Sequence, residues 1–474
     1  MPRGLASGRQ RAIEQRMALP DVHTIPDGLP LPQRWVAMLA VAVSVGMTVL
    51  DGGIANVALP TIAHDLHASP AASIWVVNAY QLAVTVTLLP FASLGDIYGH
   101  RRVYCWGLVL FILASQACAI APSMPVLVAA RIVQGIGGAG IMSVNGALVR
   151  FIFPRAQLGR AVGFNGLVVS ACSAAGPSVA AAVMSVTSWP WLFFVQVPLG
   201  AIALGLSMRF LPRTPLADAP FDPLSALLNA LTFGLFITAL DGIGRGEALL
   251  LVGAQLVVCG VIGVVFVRRQ LGLRAPMLPV DLFANPVFAL SSAAAVFAHA
   301  AQVTTMVSLP FYFQYVFGLS PIDIGLLITP WPTMLVIMAP ISGRLADRYN
   351  TGMLGGIGLA IMCSGLILVL QMPEHAAHWN VAWRLAVCGL GFGCFQTPNN
   401  RLLIGSAPPN RAGAGSGILS TSRLLGQSTG SALVALVFGL TGGDVGLGTH
   451  ITIGVAAAFA GIAMVLSSLR MGWR

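Results

Sequence analysis

The chain has 474 residues, of which 57% are hydrophobic and only 8% are charged. Soluble globular chains carry about 25% charged residues, so these proportions exclude a water-soluble fold of this size. The net charge of +10 could indicate a nucleic-acid partner, but the basic residues are all arginine and are dispersed among short loops, which argues against nucleic-acid binding. We expect most of the surface to face lipid.

The N-terminal segment and the cysteines add two further expectations. Residues 1–34 are polar, contain five arginines and include no cleavable apolar segment, so we expect a cytosolic tail rather than a signal peptide. None of the seven cysteines has C-x-x-C spacing, so the sequence predicts neither a disulfide framework nor a metal site.

Apolar stretches of about 20 residues, bounded by Arg, Pro or Gly clusters, predict membrane-spanning helices. There are fourteen such stretches, so the predicted fold class is an all-α polytopic membrane protein. The predicted spans are 35–59, 72–94, 103–121, 125–148, 158–184, 189–210, 224–243, 249–267, 287–313, 322–343, 352–371, 380–403, 411–440 and 449–469.

The arginines predict the orientation of these helices. With the N-terminus in the cytosol, the tails and cytosolic loops hold 21 of the arginines, and the outer side receives only Arg245 and Arg384. Arg131 and Arg423 lie within predicted helices. This bias predicts that both termini are cytoplasmic in a multi-pass protein of the cell inner membrane.

Two cytosolic turns indicate an internal repeat. SLGDIYGHRR (93–102) and GRLADRYNTG (343–352) each place Asp before Arg between two predicted helices. Matching them pairs helices 1–6 with helices 9–14, an arrangement typical of transporters with a site between two halves. The predicted domains are a tail (1–34), a first six-helix half (35–211), a linker with two inserted helices (212–286) and a second half (287–474).

Several runs of residues resemble known motifs. Residues 92–102 are similar to the loop signature of the major facilitator superfamily, G-x-L-x-D-x-x-G-R-[KR]. Further runs resemble the fourteen-spanner drug:proton antiporters of the EmrB/QacA type: LDGGIANVALP (50–60), WVVNAYQLA (75–83), RIVQG (131–135), AAGPS (174–178), WPWLFFVQVPLG (189–200), LPFYFQ (309–314), TPNN (397–400) and RLLGQSTG (423–430). The resemblance covers about residues 35–470 and implies the major facilitator fold, with proton-driven export by alternating access. Pro190 and Gln196 stand where Arg and Asn are common in the family.

Asp51 is the leading candidate for proton coupling. A carboxylate within a spanning helix costs roughly 2.5–3.5 kcal/mol, so it is rare unless it faces a cavity or a partner. At 1.5 Å per residue, Asp51 lies about 12 Å and Arg131 roughly 9 Å from the same membrane edge, so we expect the two to pair. The resemblance also assigns Arg131 to proton coupling. A purely structural buried pair is the alternative.

A conformational role is predicted for the first cytosolic turn. Asp96, Gly99, Arg101 and Arg102 occupy a turn too short to bind a bulky substrate. The resemblance implies a charge clasp that stabilises one alternating-access state, and positive-inside topology alone is the other interpretation.

Two further pairs are assigned to conformational change. Asp347 and Arg348 are the counterpart of the clasp in the second half. Gly176 and Pro177 should interrupt helix 5 at an interface between the halves, although simple helix packing would also use them.

An amphipathic substrate needs apolar, polarisable walls with a few polar groups. The candidate substrate-binding residues, each of which could instead serve packing, are Trp75, Tyr80, Gln81, Tyr312, Gln314, Phe395, Gln396 and Asn399.

Other polar residues of the predicted helices receive structural interpretations. His299 is interpreted as a hydrogen-bonded structural residue, and Asp241 as a solvated carboxylate at an outer helix end. Arg423 and Gln427 are one turn apart on helix 13, and we expect them to form hydrogen bonds within the second half.

Three functions remain compatible with the sequence. The first is proton-coupled efflux of small amphipathic or toxic molecules, and the second is proton-coupled transport of a specific metabolite. The third, a membrane enzyme or sensor, is disfavoured because the chain has no HExxH, GxSxG or P-loop motif. We expect no enzymatic activity, no cofactor beyond a proton gradient, and a small molecule, protons and membrane lipid as partners. Some members of the family use a periplasmic adaptor, and the resemblance leaves the need for one open.

Overall fold

A computed structural model describes residues 28–216, 221–244, 246–273, 276–373, 376–406 and 412–472. Within these ranges the chain is helical and contains no strands. The fourteen long helices are α1 (Leu31–Asp65), α2 (Pro70–Tyr98), α3 (His100–Ala119), α4 (Met124–Ile152), α5 (Leu158–Val186), α6 (Pro190–Phe210), α7 (Pro223–Gly244), α8 (Leu249–Gly272), α9 (Pro286–Tyr315), α10 (Pro321–Arg348), α11 (Thr351–Leu370), α12 (His378–Gly405), α13 (Ala412–Leu440) and α14 (Val445–Leu469). Most of the predicted tail, 1–27, lies outside the described residues.

The helices begin where the sequence supplies an N-terminal signal. Pro occupies the first turn of α2, α6, α9 and α10, where its fixed φ suits a helix and its missing N–H is not needed. Side chains at five N-caps also accept a hydrogen bond from a backbone N–H of the first turn. These residues are Ser69, Asn285, Ser320, Asn350 and Asp444.

Thirteen of the described helices are long and apolar enough to cross a membrane. The fourteenth, α12, is just as long but more polar, with Arg384 near its start and Arg401 near its end. Arg384 donates to the Leu368 carbonyl, and Arg401 bonds Asp347 at 2.6 Å, so neighbouring helices satisfy both charges. The chain is therefore a multi-pass membrane protein, as the sequence predicted.

The inserted helices α7 and α8 differ in their packing. Asn229 of α7 donates to the Val86 carbonyl of α2 at 2.9 Å. At its other end α7 touches the second half so closely that a Cβ on Gly439 of α13 would overlap the Gly244 carbonyl. Apolar residues of α8, such as Leu250, are largely exposed. Thus α7 bridges the two six-helix bundles, and α8 packs at the periphery.

The two bundles meet mainly at one end. We call the end at which α1 begins the tail end and the opposite end the far end. At the far end one apolar core joins both halves, and Ser178 of α5 bonds Thr329 of α10 at 2.8 Å. Toward the tail end the described cores separate, and the core of the first half includes only Leu424 from the second. Among the described residues, the halves are therefore in close contact at the far end, whereas their apolar cores are separate toward the tail end.

Candidate functional site

A cavity of about 190 Å³ lies between the two halves. Its walls come from the middle parts of four helices in each half: α1, α2, α4 and α5, and α9, α10, α12 and α13. Under the predicted pairing of helices 1–6 with 9–14, these are equivalent helices of the two halves. Drug-sized ligands usually occupy pockets of about 300–1,000 Å³, so this cavity is narrow in the present conformation.

The cavity wall combines apolar side chains with amides and cationic groups. The apolar part includes Val57, Val84, Met142, Val169, Val303, Met306, Trp331 and Leu335. The polar part includes Asn56, Gln81, Gln302, Gln396 and Gln427. Arg423 and His299 also line the cavity, whereas no Asp or Glu is among its described lining residues.

Three of the eight residues predicted to bind substrate lie at this cavity: Tyr80, Gln81 and Gln396. The others do not line it. The Trp75 indole donates to Asp241 of α7 at 2.7 Å, which ties the first half to the inserted pair. Asp241 is itself only 5% exposed, contrary to the expectation of a solvated carboxylate at a helix end.

Tyr312 and Gln314 lie in the last turns of α9, at the far end. The Tyr312 ring packs 6.4 Å from the ring of His450 on α14, within the second half. The part of α9 that faces the cavity ends at Met306, so the structure places these two residues beyond the wall that they were predicted to form.

Phe395 and Asn399 on α12 are also turned away from the cavity. Phe395 is fully buried, with its ring 6.3 Å from that of Phe392. The Asn399 side chain accepts from Arg470 at 2.5 Å and donates to the Ser291 carbonyl of α9 at 3.2 Å. Both residues stabilise the second half, so their positions do not support the prediction that they contact substrate.

Asp51 lies at the centre of a buried polar cluster in the first half. Arg131 donates to Asp51 Oδ2 at 2.5 Å, and both side chains are fully buried. Asp51 Oδ1 accepts from Gln196 Nε2 at 2.9 Å and from Gln134 Nε2 at 3.2 Å. The structure thus brings the predicted pair into contact, and the two amides complete the hydrogen bonding of the carboxylate.

Arg131 connects this cluster to the surrounding helices. Its Nε donates to the Val76 carbonyl of α2 at 2.8 Å, and Nη1 also donates to Gln134 Oε1 at 2.6 Å. Gln134 in turn donates to Ser115 of α3 at 2.9 Å. The cluster thus joins α1, α2, α3, α4 and α6, so its stability is shared by most of the first half.

Tyr80 lies between the buried cluster and the cavity. The centre of its ring lies 4.4 Å from the Arg131 guanidinium carbon, within the range of a cation–π contact. Tyr80 also lines the cavity, and its hydroxyl donates to the Thr48 carbonyl at 3.4 Å. A molecule in the cavity would therefore contact the residue that covers the Asp51–Arg131 pair.

Sequence reasoning missed Gln134 and Gln196 of the buried cluster, and it assigned five polar residues of the cavity wall to no site: Asn56, His299, Gln302, Arg423 and Gln427. Gln134 stands in the quoted RIVQG run, and Gln196 was noted only as a departure from the family. Amides carry no charge, so their burial next to Asp51 leaves no strong signal in composition or spacing. His299 is hydrogen-bonded to the Ala295 carbonyl, as expected, but it also lines the cavity. Arg423 and Gln427 line the cavity as well, and the Arg423 Nε lacks the hydrogen bond expected within the second half among the described residues.

The tail-end turn of the first half contains a local charge cluster. Gly99 has a φ of +96°, a conformation that favours glycine. Asp96 is largely exposed and lies 3.2 Å from His100, one helical turn later. This contact stays within the turn.

The two arginines of this turn also remain within the first half. Arg101 donates to the Met208 carbonyl near the end of α6, and Arg102 is exposed. In the present conformation the clasp residues therefore connect helices of one half.

In the second half, Asp347 pairs with Arg401 of α12 at 2.6 Å. Arg348 is exposed at the end of α10. The second-half turn thus holds together α10 and α12.

Gly176 and Pro177 lie in a continuous helix. The prediction that they interrupt α5 is wrong, because the helix runs through Pro177 without a break. Gly176 packs against Gly53 of α1, where a Cβ would lie 3.2 Å from the Gly53 Cα. A Cβ on Gly325 of α10 would lie 2.6 Å from the Pro177 carbonyl, so this part of α5 does lie at the interface between the halves.

Comparisons with known proteins agree with this architecture. The chain is 53% identical over 447 residues to the transporter YebQ of Escherichia coli (strain K12), covering 94% of this chain and 97% of that one. It is 30% identical to the riboflavin transporter RibZ of Clostridioides difficile (strain 630), covering 86% and 89%. It is 31% identical to the multidrug efflux pump LfrA of Mycolicibacterium smegmatis, covering 88% and 83%.

Among solved structures, the fold is similar to a bacterial homolog of the human lysosomal transporter Spinster in an inward-facing, unoccupied conformation. The TM-score is 0.67 at 15% identity, covering 93% of this chain and 97% of that one. A family model for the Major Facilitator Superfamily matches residues 41–431. Together with the six-helix halves, the inserted pair and the cavity between them, this match shows that the chain is a transporter of the major facilitator superfamily.

Proposed function

We propose that this transporter is a proton-coupled exporter of small amphipathic molecules, of the fourteen-spanner drug:proton antiporter type, in the cell inner membrane. The observation that carries the proposal is the Asp51–Arg131 pair, which is fully buried and lies behind Tyr80, a residue of the cavity wall. A substrate in the cavity would then contact one face of the Tyr80 ring, and protonation of Asp51 would act on the other face through Arg131.

The coupling step follows from the contacts of Asp51. When a proton adds to the carboxylate, the Arg131 guanidinium loses its counter-charge and its strongest hydrogen bond. The Arg131 guanidinium is then stabilised by other contacts, and the Tyr80 ring at the cavity wall already lies against it. A substrate that displaces Tyr80 changes the same balance from the other side, so binding of one species biases release of the other.

The orientation supports export. If the arginine-rich tail end is cytosolic, the described conformation is open toward the cytosol and closed at the outer end by Ser178, Thr329 and the shared core. The cavity would then load from the cytosol. Proton uptake at Asp51 from the outer side would follow when the halves exchange their closed and open ends.

The similarity to LfrA, a multidrug efflux pump that matches most of this chain, supports efflux. A second candidate function is proton-coupled transport of one specific metabolite. The five amide side chains of the cavity wall favour it, because such groups recognise a defined pattern of hydrogen bonds, and RibZ is named as a riboflavin transporter.

Transport into everted membrane vesicles tests both candidates. A pH gradient, acid inside, should drive accumulation of compounds from a panel of dyes and metabolites, and adding a transported compound should release protons from the vesicle lumen. Many accepted dyes would indicate general efflux, and a single accepted metabolite would indicate specific transport. Accumulation that is unchanged after the pH gradient is collapsed would contradict proton coupling.

A further inference from the structure

Arg423 on α13 is a cation within a spanning helix that has no counter-charge among the described residues. Its side chain lines the cavity, and its buried Nε has no hydrogen-bond partner in the part of the chain that the structure describes. The described carboxylates form their ion pairs elsewhere. A charged side chain in the middle of a spanning helix is costly and normally has a partner, so a partner from outside the chain is expected at this position.

His299 on α9 lies beside Arg423 and also lacks a partner on its cavity side. The side chain is 2% exposed, and Nδ1 lies 2.8 Å from the Ala295 carbonyl. A carbonyl can only accept, so Nδ1 carries the hydrogen, and Nε2 of the neutral ring is an acceptor. Nε2 has no partner among the described residues.

Close helix packing keeps these two groups together. Gly426 follows Arg423 by one turn of α13, and a Cβ there would overlap the Val296 carbonyl and lie 3.1 Å from His299 Cβ. Only glycine allows α13 to approach α9 this closely. The guanidinium and the imidazole are therefore held at one wall of the cavity, on neighbouring helices.

The rest of the wall is consistent with a negatively charged ligand. Apart from Arg423 and His299, the described wall consists of apolar, hydroxyl and amide groups without a carboxylate, so a cationic molecule would meet Arg423 with no counter-charge nearby. Asp51 does not supply one, because it is fully buried behind Tyr80 and already paired with Arg131.

We propose that Arg423 and His299 form a binding site for an amphipathic organic anion. The guanidinium pairs with an oxyanion group such as a carboxylate or sulfonate, and His299 Nε2 accepts a hydrogen bond from an N–H or O–H next to that group. The apolar wall contacts the body of the molecule. This inference names the substrate class of the proposed exporter, and its physiological meaning rests on that proposed function.

The test compares two fluorescent probes with the same aromatic body. Anilinonaphthalene sulfonate carries an N–H beside a sulfonate, and phenylnaphthylamine lacks the sulfonate. Their Kd values are measured for the full chain in nanodiscs of zwitterionic phosphatidylcholine, with empty discs subtracted. Arg423→Gln should raise the Kd of the sulfonate about tenfold or more and that of the amine less than about twofold. Arg423→Lys should recover part of the loss, since it restores the charge without the planar fork.

Two further variants sharpen the result. Arg344→Gln removes an exposed charge at the tail end of α10 and should leave both Kd values unchanged. His299→Phe keeps a ring but removes the acceptor and should raise the Kd of the sulfonate about threefold or more. If Arg423→Gln does not fold, the Kd values of His299→Phe and Arg423→Lys decide whether the anion site exists.

Equal effects of Arg423→Gln on both probes, or no effect on the sulfonate, would overturn the anion site. The binding assay uses no proton gradient, so its outcome is independent of proton coupling. Selective binding of the sulfonate without pH-driven transport would refute the proposed exporter alone. Transport that depends on Asp51 but is indifferent to Arg423 would refute the anion site alone.

Discussion

The two halves of the bundle hold their intramembrane charges in opposite ways. In the first half, Arg131 is paired with Asp51 at 2.5 Å, and both are fully buried. In the second half, Arg423 faces the cavity and has no acidic partner among the described residues. A buried pair is costly to break and its carboxylate can respond to a proton, whereas a charge without an acidic partner is available to a ligand. We therefore expect the first half to couple energy and the second to recognise the substrate.

The largest expected effect is loss of driven transport in Asp51→Asn. Asn keeps the size of the side chain but cannot exchange a proton, so pH-driven accumulation in everted vesicles should fall to the background of vesicles without the protein. Asp65→Asn is the matched control, because Asp65 is an exposed carboxylate at the end of the same helix. Normal pH-driven accumulation by Asp51→Asn would remove Asp51 from the coupling step.

The same substitution at the two arginines should have different effects on stability. Arg131→Gln leaves Asp51 buried without its counter-charge and should cost about 3–5 kcal/mol of unfolding free energy. Arg423→Gln removes an unpaired charge and should leave the unfolding temperature unchanged or higher. Thermal unfolding of both purified variants in one detergent measures this contrast. Equal destabilisation would show that Arg423 is a structural charge as well.

Arg131→Lys separates charge from geometry within the first half. Lys retains the positive charge but not the planar guanidinium that bonds Asp51, Gln134 and the Val76 carbonyl. Transport by Arg131→Lys should therefore be higher than transport by Arg131→Gln but lower than that of the wild type. The pH dependence of the transport rate is the discriminating measurement. A profile that matches the wild type would contradict a role for the Arg131 fork in coupling.

A smaller effect is expected at Tyr80, where two variants separate the ring from the hydroxyl. Tyr80→Phe keeps the ring over Arg131 and loses only a 3.4 Å hydrogen bond, so transport should change less than about twofold. Tyr80→Leu removes the cation–π contact, worth about 0.5–2 kcal/mol, and should weaken coupling between substrate and proton. Proton release per transported molecule is the readout, and equal values for Phe and Leu would contradict the proposed role of the ring.

The smallest effect is expected at an ion pair near the membrane surface. Partial burial acts to raise the pKa of Asp222, but hydrogen bonds from Ser225 and Arg269 hold that pKa below its usual value. A lowered pKa contributes stability at neutral pH that is lost as pH falls through the folded-state value. Asp222→Asn should therefore lower the unfolding temperature slightly at pH 7 and not at strongly acidic pH. An equal decrease at both pH values would indicate lost packing instead.

Much of the helical architecture could be predicted from the sequence. The stretch 411–440 was predicted almost to the residue of α13, Ala412–Leu440, because apolar length and flanking arginines are local properties. Helix ends at proline were predicted less well. The first span was expected to end at residue 59, yet α1 continues through Pro60 to Asp65, since neighbouring helices support the backbone there.

The contact between Asp51 and Arg131 could also be predicted from the sequence. Two opposite charges at equal depth in one six-helix half are costly apart, and their depths follow from counting residues along two helices. The amides of Gln134 and Gln196 that complete the cluster could not be predicted, because an uncharged side chain carries no such penalty to reveal it.

Which side chains face the cavity was decided only by the tertiary structure. Four residues that were predicted to bind substrate contact other residues instead, because helix rotation and close packing turn their side chains away from the cavity: Trp75, Tyr312, Phe395 and Asn399. The burial and the direction of a side chain depend on contacts between helices that are far apart in the sequence. The packing of Gly426 against His299 is such a contact. The unpaired charge at Arg423 became visible only when its described neighbours were in place, because pairing is a property of the packed bundle and not of one helix.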